Sequence, residues 1–362
     1  MISIVLGTRP EIIKLSPLIK VLKKKKYNFN ILHTGQHYSN NLNDIFLNQF
    51  QIPKNKIINL NVGSHSHAKQ TAIIIEKIEN FLKKNKKLKA ILVYGDTNSA
   101  FAATIAACKF YHIKIIHLEA GLRSFDKLMP EEINRRLIDH ASDLLLCPTQ
   151  IAKKYLINEG IKKNIFVTGN TIVDAIKNNL QNNNLNFEPL TLNKYITLTI
   201  HREENTLDIS QLSKILNSVE KIATELNYEV FFPCHPKTKK LLNKIKKKYL
   251  KINIINPLDY ISFLNLIKKS NLIISDSGGI QEEACILRVP LITIRKSTER
   301  PETLIMNCNL LSNPDYKELK KNVVTILKQK INWSNPYGKG NSALLSYKII
   351  KKFIEKNEQK SY

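Results

Sequence analysis

MISIVLGTRPEIIKLSPL (1–18) is the stretch whose reading decides the fold. ISIVL (2–6) is a short run of mostly branched apolar residues, the pattern of a strand buried on both faces. Gly7 ends the run, and Pro10 opens a helix at a position where its missing N–H costs nothing. Strand, loop and helix follow one another, and the unit recurs along the chain. FNILH (29–33), AILVY (90–94), KIIHL (114–118), DLLLC (143–147) and NIFVT (164–168) read as strands, with helical patterns between them, as at 97–111 and 149–158. Strands alternating with helices predict a parallel sheet covered on both faces.

The pattern then restarts. YITLTI (195–200), EVFFP (229–233), NIIN (253–256), NLIIS (271–275) and PLITI (290–294) are separated by helical stretches near 208–226, 237–249, 259–268 and 279–287. The polar stretch NNLQNNNLNFEPLTLN (178–193) reads as the linker region. The fold class is therefore α/β, with two doubly wound Rossmann-like domains facing a cleft, over 1–170 and 171–340. A last amphipathic helix within 341–362 is expected to pack back toward the N-terminal domain. In such sheets ligands sit outside the carboxyl ends of the strands, so functional residues belong on the loops that follow strands.

A chain of 362 residues, 43% hydrophobic, suits two ordinary cores. It contains no run of about 18 apolar residues. Its start lacks the regions of a signal peptide, which places the protein in the cytoplasm, away from membranes. Five cysteines are scattered without a CxxC pair and read as small buried hydrophobes, with no zinc site or disulfide framework.

The formal net charge of +26 invites a nucleic-acid reading. Lysine is, however, spread along the whole chain on polar helix faces, which reads as compositional bias, with no nucleic-acid partner. Arginine is used differently. Of 56 basic residues only eight are Arg, and seven of these sit in or beside short motifs: Arg9, Arg123, Arg135, Arg136, Arg202, Arg295 and Arg300. The planar guanidinium grips phosphate or carboxylate through two hydrogen bonds, a geometry lysine lacks.

Four motifs and a further group of four follow strands. GTRPEIIK (7–14) places Arg9 near a helix start, a ready anion site; the plain alternative is a capped helix with a surface Arg. YGDTNSA (94–100) puts Asp96 after a buried strand, where a helix cap is as good a reading as catalysis. HLEAGLRSFDKLMPEEINRRLIDHASD (117–143) puts Glu119 straight after another strand, where a carboxylate is costly without a partner or a task. Glu131 and Glu132 fill a helix first turn with Arg135 and Arg136 a turn later, otherwise ordinary surface pairs. Asp96, Glu119 and Glu131 at one sheet edge suit proton abstraction and return, with mutual repulsion and burial raising their pKa values. TIHREEN (199–205) offers His201 and Arg202 to a phosphate or a developing charge. FFPCHPKT (231–238), PLDYISFL (257–264), SDSGGIQEEA (275–284) and KSTERPE (296–302) complete the set. In SDSGG, small residues let backbone N–H groups reach a phosphate at the positive end of a helix, and Glu283 follows one turn on, placed to accept both ribose hydroxyls.

The ordered set GTRPE, GDTNS, EAGLRS, PEEINR, HREEN, HP, DSGGIQEEA and TERPE resembles the non-hydrolysing UDP-N-acetylglucosamine 2-epimerases, in their archaeal form, over nearly the whole chain. The resemblance implies a fold like the B-type glycosyltransferases and a UDP-sugar substrate held by the C-terminal domain. It implies anti elimination of UDP to 2-acetamidoglucal and re-addition with protonation from the other face. It implies no metal and no redox cofactor, and a homodimer. Carried over by motif, Asp96, Glu119 and Glu131 are the acid/base groups, and His201 stands beside the diphosphate with Arg9 and Lys14. Ser277, Gly278, Gly279 and His235 serve the phosphates, Glu283 the ribose and Phe263 the uracil, with Arg123, Arg202 and Arg300 among the substrate contacts. TGQHYSNN (34–41) departs from the bacterial pattern of an activator site, with Ser39 where a second glutamine is expected after Gln36. A related subfamily acting on UDP-2,3-diacetamido-2,3-dideoxyglucuronate shares GDTNS, PEE and HREEN but differs after EAG and at SGG. That subfamily, and a glycosyltransferase of the same fold, are the alternatives.

Overall fold

The computed structural model describes residues 1–35, 47–63, 65–180, 194–206, 208–234, 236–245 and 247–359. Two compact units emerge, one of Met1–Lys177 with Pro336–Tyr362 and one of Asn178–Asn335.

The first unit is built on a parallel sheet of β1 (Ile2–Leu6), β2 (Phe29–His33), β3 (Ile57–Asn59), β4 (Ala90–Tyr94), β5 (Lys114–Leu118), β6 (Leu144–Cys147) and β7 (Ile165–Val167). Their spatial order is β3-β2-β1-β4-β5-β6-β7. Side chains alternate across each strand, so β1 feeds two cores. Ile2, Ile4 and Leu6 point to a cluster containing Ile12, Leu15 and Ile19 of α1 (Arg9–Lys24). Val5 points the other way, with Ile91, Val93 and Ile115, toward α2 (His67–Lys84) and α3 (Asn98–Ala107). Helices α4 (Pro130–Ala141), α5 (Gln150–Asn158) and α6 (Thr171–Leu180) follow β5, β6 and β7.

The second unit repeats the scheme. Strands β8 (Tyr195–Thr199), β9 (Glu229–Pro233), β10 (Ile252–Ile255), β11 (Leu272–Ser275), β12 (Leu291–Ile294) and β13 (Asn309–Ser312) lie in the order β10-β9-β8-β11-β12-β13. The intervening helices are α7 (Glu203–Thr206), α8 (Ile209–Leu226), α9 (Pro236–Leu242), α10 (Tyr260–Lys269), α11 (Gly278–Leu287), α12 (Pro301–Ile305) and α13 (Tyr316–Lys328).

The last helix, α14 (Ser342–Gln359), belongs to the first unit. Tyr347, Ile350 and Ile354 join the α1 cluster, and the Tyr27 and Tyr347 rings meet edge to face at 5.9 Å. Asp174 accepts the N–H groups of Ser342 and Ala343, both at 3.1 Å, capping this helix from α6.

Two strands escape the sequence reading, β3 and β13. Both are edge strands, and β3 is three residues long with Ile58 exposed, so neither shows a buried apolar run. The helix expected over 237–249 stops at Leu242. Beyond it Lys244, Lys247 and Lys248 place like charges three and four residues apart, which disfavours helix. Among the described residues no helix is long and apolar enough to cross a membrane.

Candidate active site

In each sheet the chain reverses its direction of winding beside the first strand laid down, and the loops leaving the strand ends there diverge. In the first unit these loops follow β1 and β4, and in the second β8 and β11. The motif residues fall on them.

After β1, Glu11 folds back on its own loop. Its carboxylate accepts the N–H groups of Gly7 and Thr8 at 2.8 and 2.7 Å, the Thr8 hydroxyl at 2.9 Å and the Thr97 hydroxyl at 2.8 Å. Burial pushes this carboxyl above its ordinary value, against the pull of those four donors. Glu11 thereby ties the GTRPE loop to the GDTNS loop and presents Arg9, half-buried at the first residue of α1. Burial lowers the Arg9 pKa.

Glu119, the residue after β5, has φ +72°, left-handed backbone that a non-glycine residue adopts at a cost of about 1–3 kcal/mol. The turn is over-determined. The N–H groups of Glu119 and Ala120 both donate to the Leu146 carbonyl, at 3.0 and 3.1 Å. Lys14 Nζ, the Tyr94 hydroxyl and Asn170 Nδ2 converge on Glu119 Oε1 at 2.5, 2.9 and 3.0 Å. A Cβ on Gly95 would lie 3.2 Å from Glu119 Oε2, so the Gly95–Asp96 turn runs directly beside this carboxylate.

Asp96 is bound to Arg135, through Nε at 2.8 Å and Nη2 at 2.6 Å. Asn134 Nδ2 donates to the Asp96 carbonyl at 2.9 Å. These two residues bring the start of α4 to Asp96, and Glu131 lies half-buried in the first turn of that helix. Asp96 and Glu119 thus lie together, with the turn bearing Glu131 joined to Asp96. Asp96 has Arg135 and Glu119 has Lys14 as its own counter-cation.

In the second unit, Asp276 is fully buried and gathers the HREEN loop. It accepts the N–H groups of His201 and Arg202 and Nδ2 of Asn205, at 3.0–3.2 Å, and lies 3.0 Å from His201 Nδ1. Burial pushes the Asp276 carboxyl up, but His201, Asn205 and the backbone donors outweigh it, holding it below its ordinary value. The imidazole of His201 is about half exposed and oriented by that carboxylate. Arg202 is half-buried, as is Phe263 on α10. Ser277 is the N-cap residue of α11, and Gly278 and Gly279 are its first helical residues. Packing demands only the first glycine. A Cβ on Gly278 would collide with Glu299 Oε1 and come 3.2 Å from Arg300 Nη1, whereas one on Gly279 would meet nothing nearer than 4.0 Å. Glu283, buried one turn on, faces Tyr260, whose hydroxyl is driven well above its ordinary pKa by burial and then by the charge of Glu283.

A family model described as UDP-N-acetylglucosamine 2-epimerase matches residues 20–351. The chain belongs to the UDP-N-acetylglucosamine 2-epimerase family. A UDP-N-acetylglucosamine 2-epimerase of Methanococcus maripaludis is 46% identical, covering 96% of this chain and 98% of the relative. A crystal structure of the Methanocaldococcus jannaschii UDP-GlcNAc 2-epimerase, in complex with UDP-GlcNAc and UDP, superposes with TM-score 0.90 at 45% identity over 97% of this chain and 99% of that one. A UDP-2,3-diacetamido-2,3-dideoxy-D-glucuronate 2-epimerase of Pseudomonas aeruginosa is 36% identical over 85% of this chain and 86% of its own. The two doubly wound Rossmann-like sheets of this epimerase-family chain are the B-type glycosyltransferase-like fold expected from its sequence.

Two arginines expected at substrate are held by internal carboxylates. Arg123 is fully buried, paired with Asp139 at 2.7 Å and in a fork with both oxygens of Glu159 at 2.8 and 2.6 Å. Arg300 is buried beneath Gly278 and held by Glu282 at 3.0 Å and Glu299 at 2.5 Å. A guanidinium held by internal carboxylates braces its loop from behind. The PEE pairs are also not surface pairs. Glu132 is buried, accepting from Ser124 N at 2.8 Å and Arg135 Nη1 at 2.9 Å. These contacts outweigh the upward push of burial and hold it below its ordinary value. His235, Gln36 and Ser39 lie outside the described residues. The residues missed from sequence, Glu11, Tyr94, Asn134 and Asn170, carried one shared signal: each lies in or beside a recognised motif or follows a strand end.

Proposed function

We propose that this chain interconverts UDP-N-acetylglucosamine and UDP-N-acetylmannosamine, as a non-hydrolysing 2-epimerase acting by anti elimination of UDP and re-addition through 2-acetamidoglucal. The observation that carries this reading is 46% identity across 96% of the chain to a relative bearing that activity in its name. The geometry supports it chemically. Inversion at C2 needs a proton to leave one face and arrive on the other, so at least two acid/base groups must flank the sugar. Asp96 and Glu119 lie on adjacent turns, with Glu131 on the turn joined to Asp96, and fill those roles. In the second unit, Ser277 and Gly279 at the start of α11 take the phosphates through backbone N–H groups and the positive helix end. His201 and Arg9 stabilise the departing diphosphate. Lys14 pairs with Glu119, the carboxylate placed to accept a proton. Glu283 takes the ribose and Phe263 the uracil.

The reaction draws on no metal or redox cofactor. The five free cysteines suit the reducing cytoplasm. The active form on this reading is a homodimer; light scattering at micromolar protein tests it, and a monomer would refute it. The deciding experiment is NMR of UDP-N-acetylglucosamine with the protein in deuterated water. Appearance of UDP-N-acetylmannosamine carrying deuterium at C2 is the expected result; unchanged substrate would end the proposal. The 36% identity to the diacetamido-glucuronate enzyme keeps that sugar as the second substrate to offer.

A further inference from the structure

We propose that His117 and Asp139 form a positioning pair that fixes both acid/base turns of the first unit, with His117 bridging them through two donated hydrogen bonds. The inference rests on the epimerase reading for its catalytic consequence, though its geometry stands alone.

His117 lies in β5, two residues before Glu119, and is 1% exposed. Its Nε2 is 2.9 Å from the Gly95 carbonyl, the residue before Asp96. Its Nδ1 is 2.7 Å from Asp139 Oδ1, in α4. A carbonyl oxygen only accepts. Asp139 accepts as well: Arg123 Nη1 donates to it at 2.7 Å and the Gly121 N–H at 3.2 Å, and these contacts with His117 outweigh burial to hold its carboxyl below its ordinary value. With an acceptor at each ring nitrogen, His117 carries a hydrogen on both.

The consequence is mechanical. Asp139 ties down Gly121, two residues after the left-handed Glu119. Through His117 the same carboxylate ties down Gly95, the residue before Asp96. The turns bearing Asp96 and Glu119 therefore share one buried anchor, which touches neither of these carboxylates. Arg123, held in turn by Glu159, is the outer brace of that anchor, and Glu159 is itself flanked by Arg136 at 4.0 Å and His140 at 3.6 Å. The Cys147 thiol, pushed up by burial and then by the charge of Asp139, is a further titratable group on this side, with Lys153 acting on it in the opposite sense.

The test uses the full chain, wild type and with His117→Phe and His117→Gln. The Phe variant removes both donors and the Gln variant keeps one. Displacing a reacting group by about 1 Å costs turnover on the order of a hundredfold. His117→Phe is accordingly expected to lower kcat about a hundredfold, with His117→Gln between it and wild type. KM and the UDP dissociation constant should stay within about twofold of wild type, since the nucleotide is held by the second unit. Folded variants that turn over like wild type, or that lose kcat only in step with UDP affinity, overturn the proposal. Nitrogen-15 NMR of the wild-type ring gives a readout independent of turnover and of variant folding, with the His117 resonances assigned by their loss from the spectrum of a variant or through its backbone connectivity. Two buried ring N–H signals are expected, and a single one overturns the double donation. If the wild type epimerises nothing while both ring signals are present, it is the functional reading that fails and the bridging geometry that stands.

Discussion

Gly279→Ala separates what the fold needs from what a nucleotide needs. Alanine restricts the unfolded chain and suits a helical position better than glycine, which stabilises by about 0.4–1 kcal/mol where the conformation is compatible. The added methyl meets nothing nearer than Ser277 Oγ at 4.0 Å, so no collision offsets that gain. For a unit of this size, a stabilisation of about 1 kcal/mol raises Tm by roughly 2–4 °C. The bound state differs. If phosphate approaches the N–H groups at the start of α11, the methyl stands where its oxygens pass. Losing one charge-assisted hydrogen bond costs about 1.5–3 kcal/mol, which is about 10- to 150-fold in UDP affinity. Gly278→Ala is the control with the opposite signature, because its methyl strikes Glu299 within the buried Arg295–Glu299–Arg300 group and lowers Tm. Calorimetric titration with UDP and thermal melts measure both quantities. A Gly279→Ala protein that binds UDP as tightly as wild type refutes the placement of phosphate at this helix start.

Three further outcomes are expected. Asp96→Asn, Glu119→Gln and Glu131→Gln should keep UDP binding and lose turnover by about a hundredfold or more, the ordinary scale for removed acid/base groups, measured by NMR of product formation; normal turnover in all three ends the elimination mechanism here. His201→Ala should weaken UDP binding and turnover together, whereas Asp276→Asn should also lower Tm, because the buried carboxylate accepts two backbone N–H groups of the 201–202 loop; equal melting temperatures would contradict that role. Glu132, Asp139 and Glu159 are all held below their ordinary values. Depressed carboxyls contribute stability that is full above their unfolded values, near pH 4, and is lost as pH falls through the folded ones. Glu11 and Asp174, both held above their ordinary values, act in the opposite sense, so the diagnostic comparison is between proteins: the urea midpoint should fall less below about pH 4 in Glu132→Gln than in wild type; an equal fall in the two would count against these pairs.

The strands that pack on both faces were legible, because ISIVL and AILVY announce burial by composition alone. Strands β3 and β13 were not, since each offers only two consecutive apolar residues, Ile57–Ile58 and Leu310–Leu311, too short a run to announce a strand. The motif residues were legible as positions on strand ends, but their division of labour was not. Arg123 and Arg202 look alike in sequence, each an arginine after a strand. Only the third dimension shows that Asp139 and Glu159 close around the first and leave the second half-exposed. Glu119 reads as a costly buried carboxylate, yet its left-handed backbone is invisible in a sequence, because nothing but tertiary contact holds a glutamate there. Likewise two adjacent glycines carry no label to say that packing requires one and leaves room around the other.

Helix α14 gives the chain an order in time as well as in space. Its Tyr347, Ile350 and Ile354 complete the core begun by α1, and the whole second unit is strung between the two. A ribosome therefore releases the material of the first unit early and its closing piece last. Until α14 emerges, the apolar face of α1 stays open to whatever is nearby, while the second unit already has every residue it needs. A product cut short before Ser342 would carry a finished inserted unit and an unfinished host. Degradation of such fragments should start in the half that was made first.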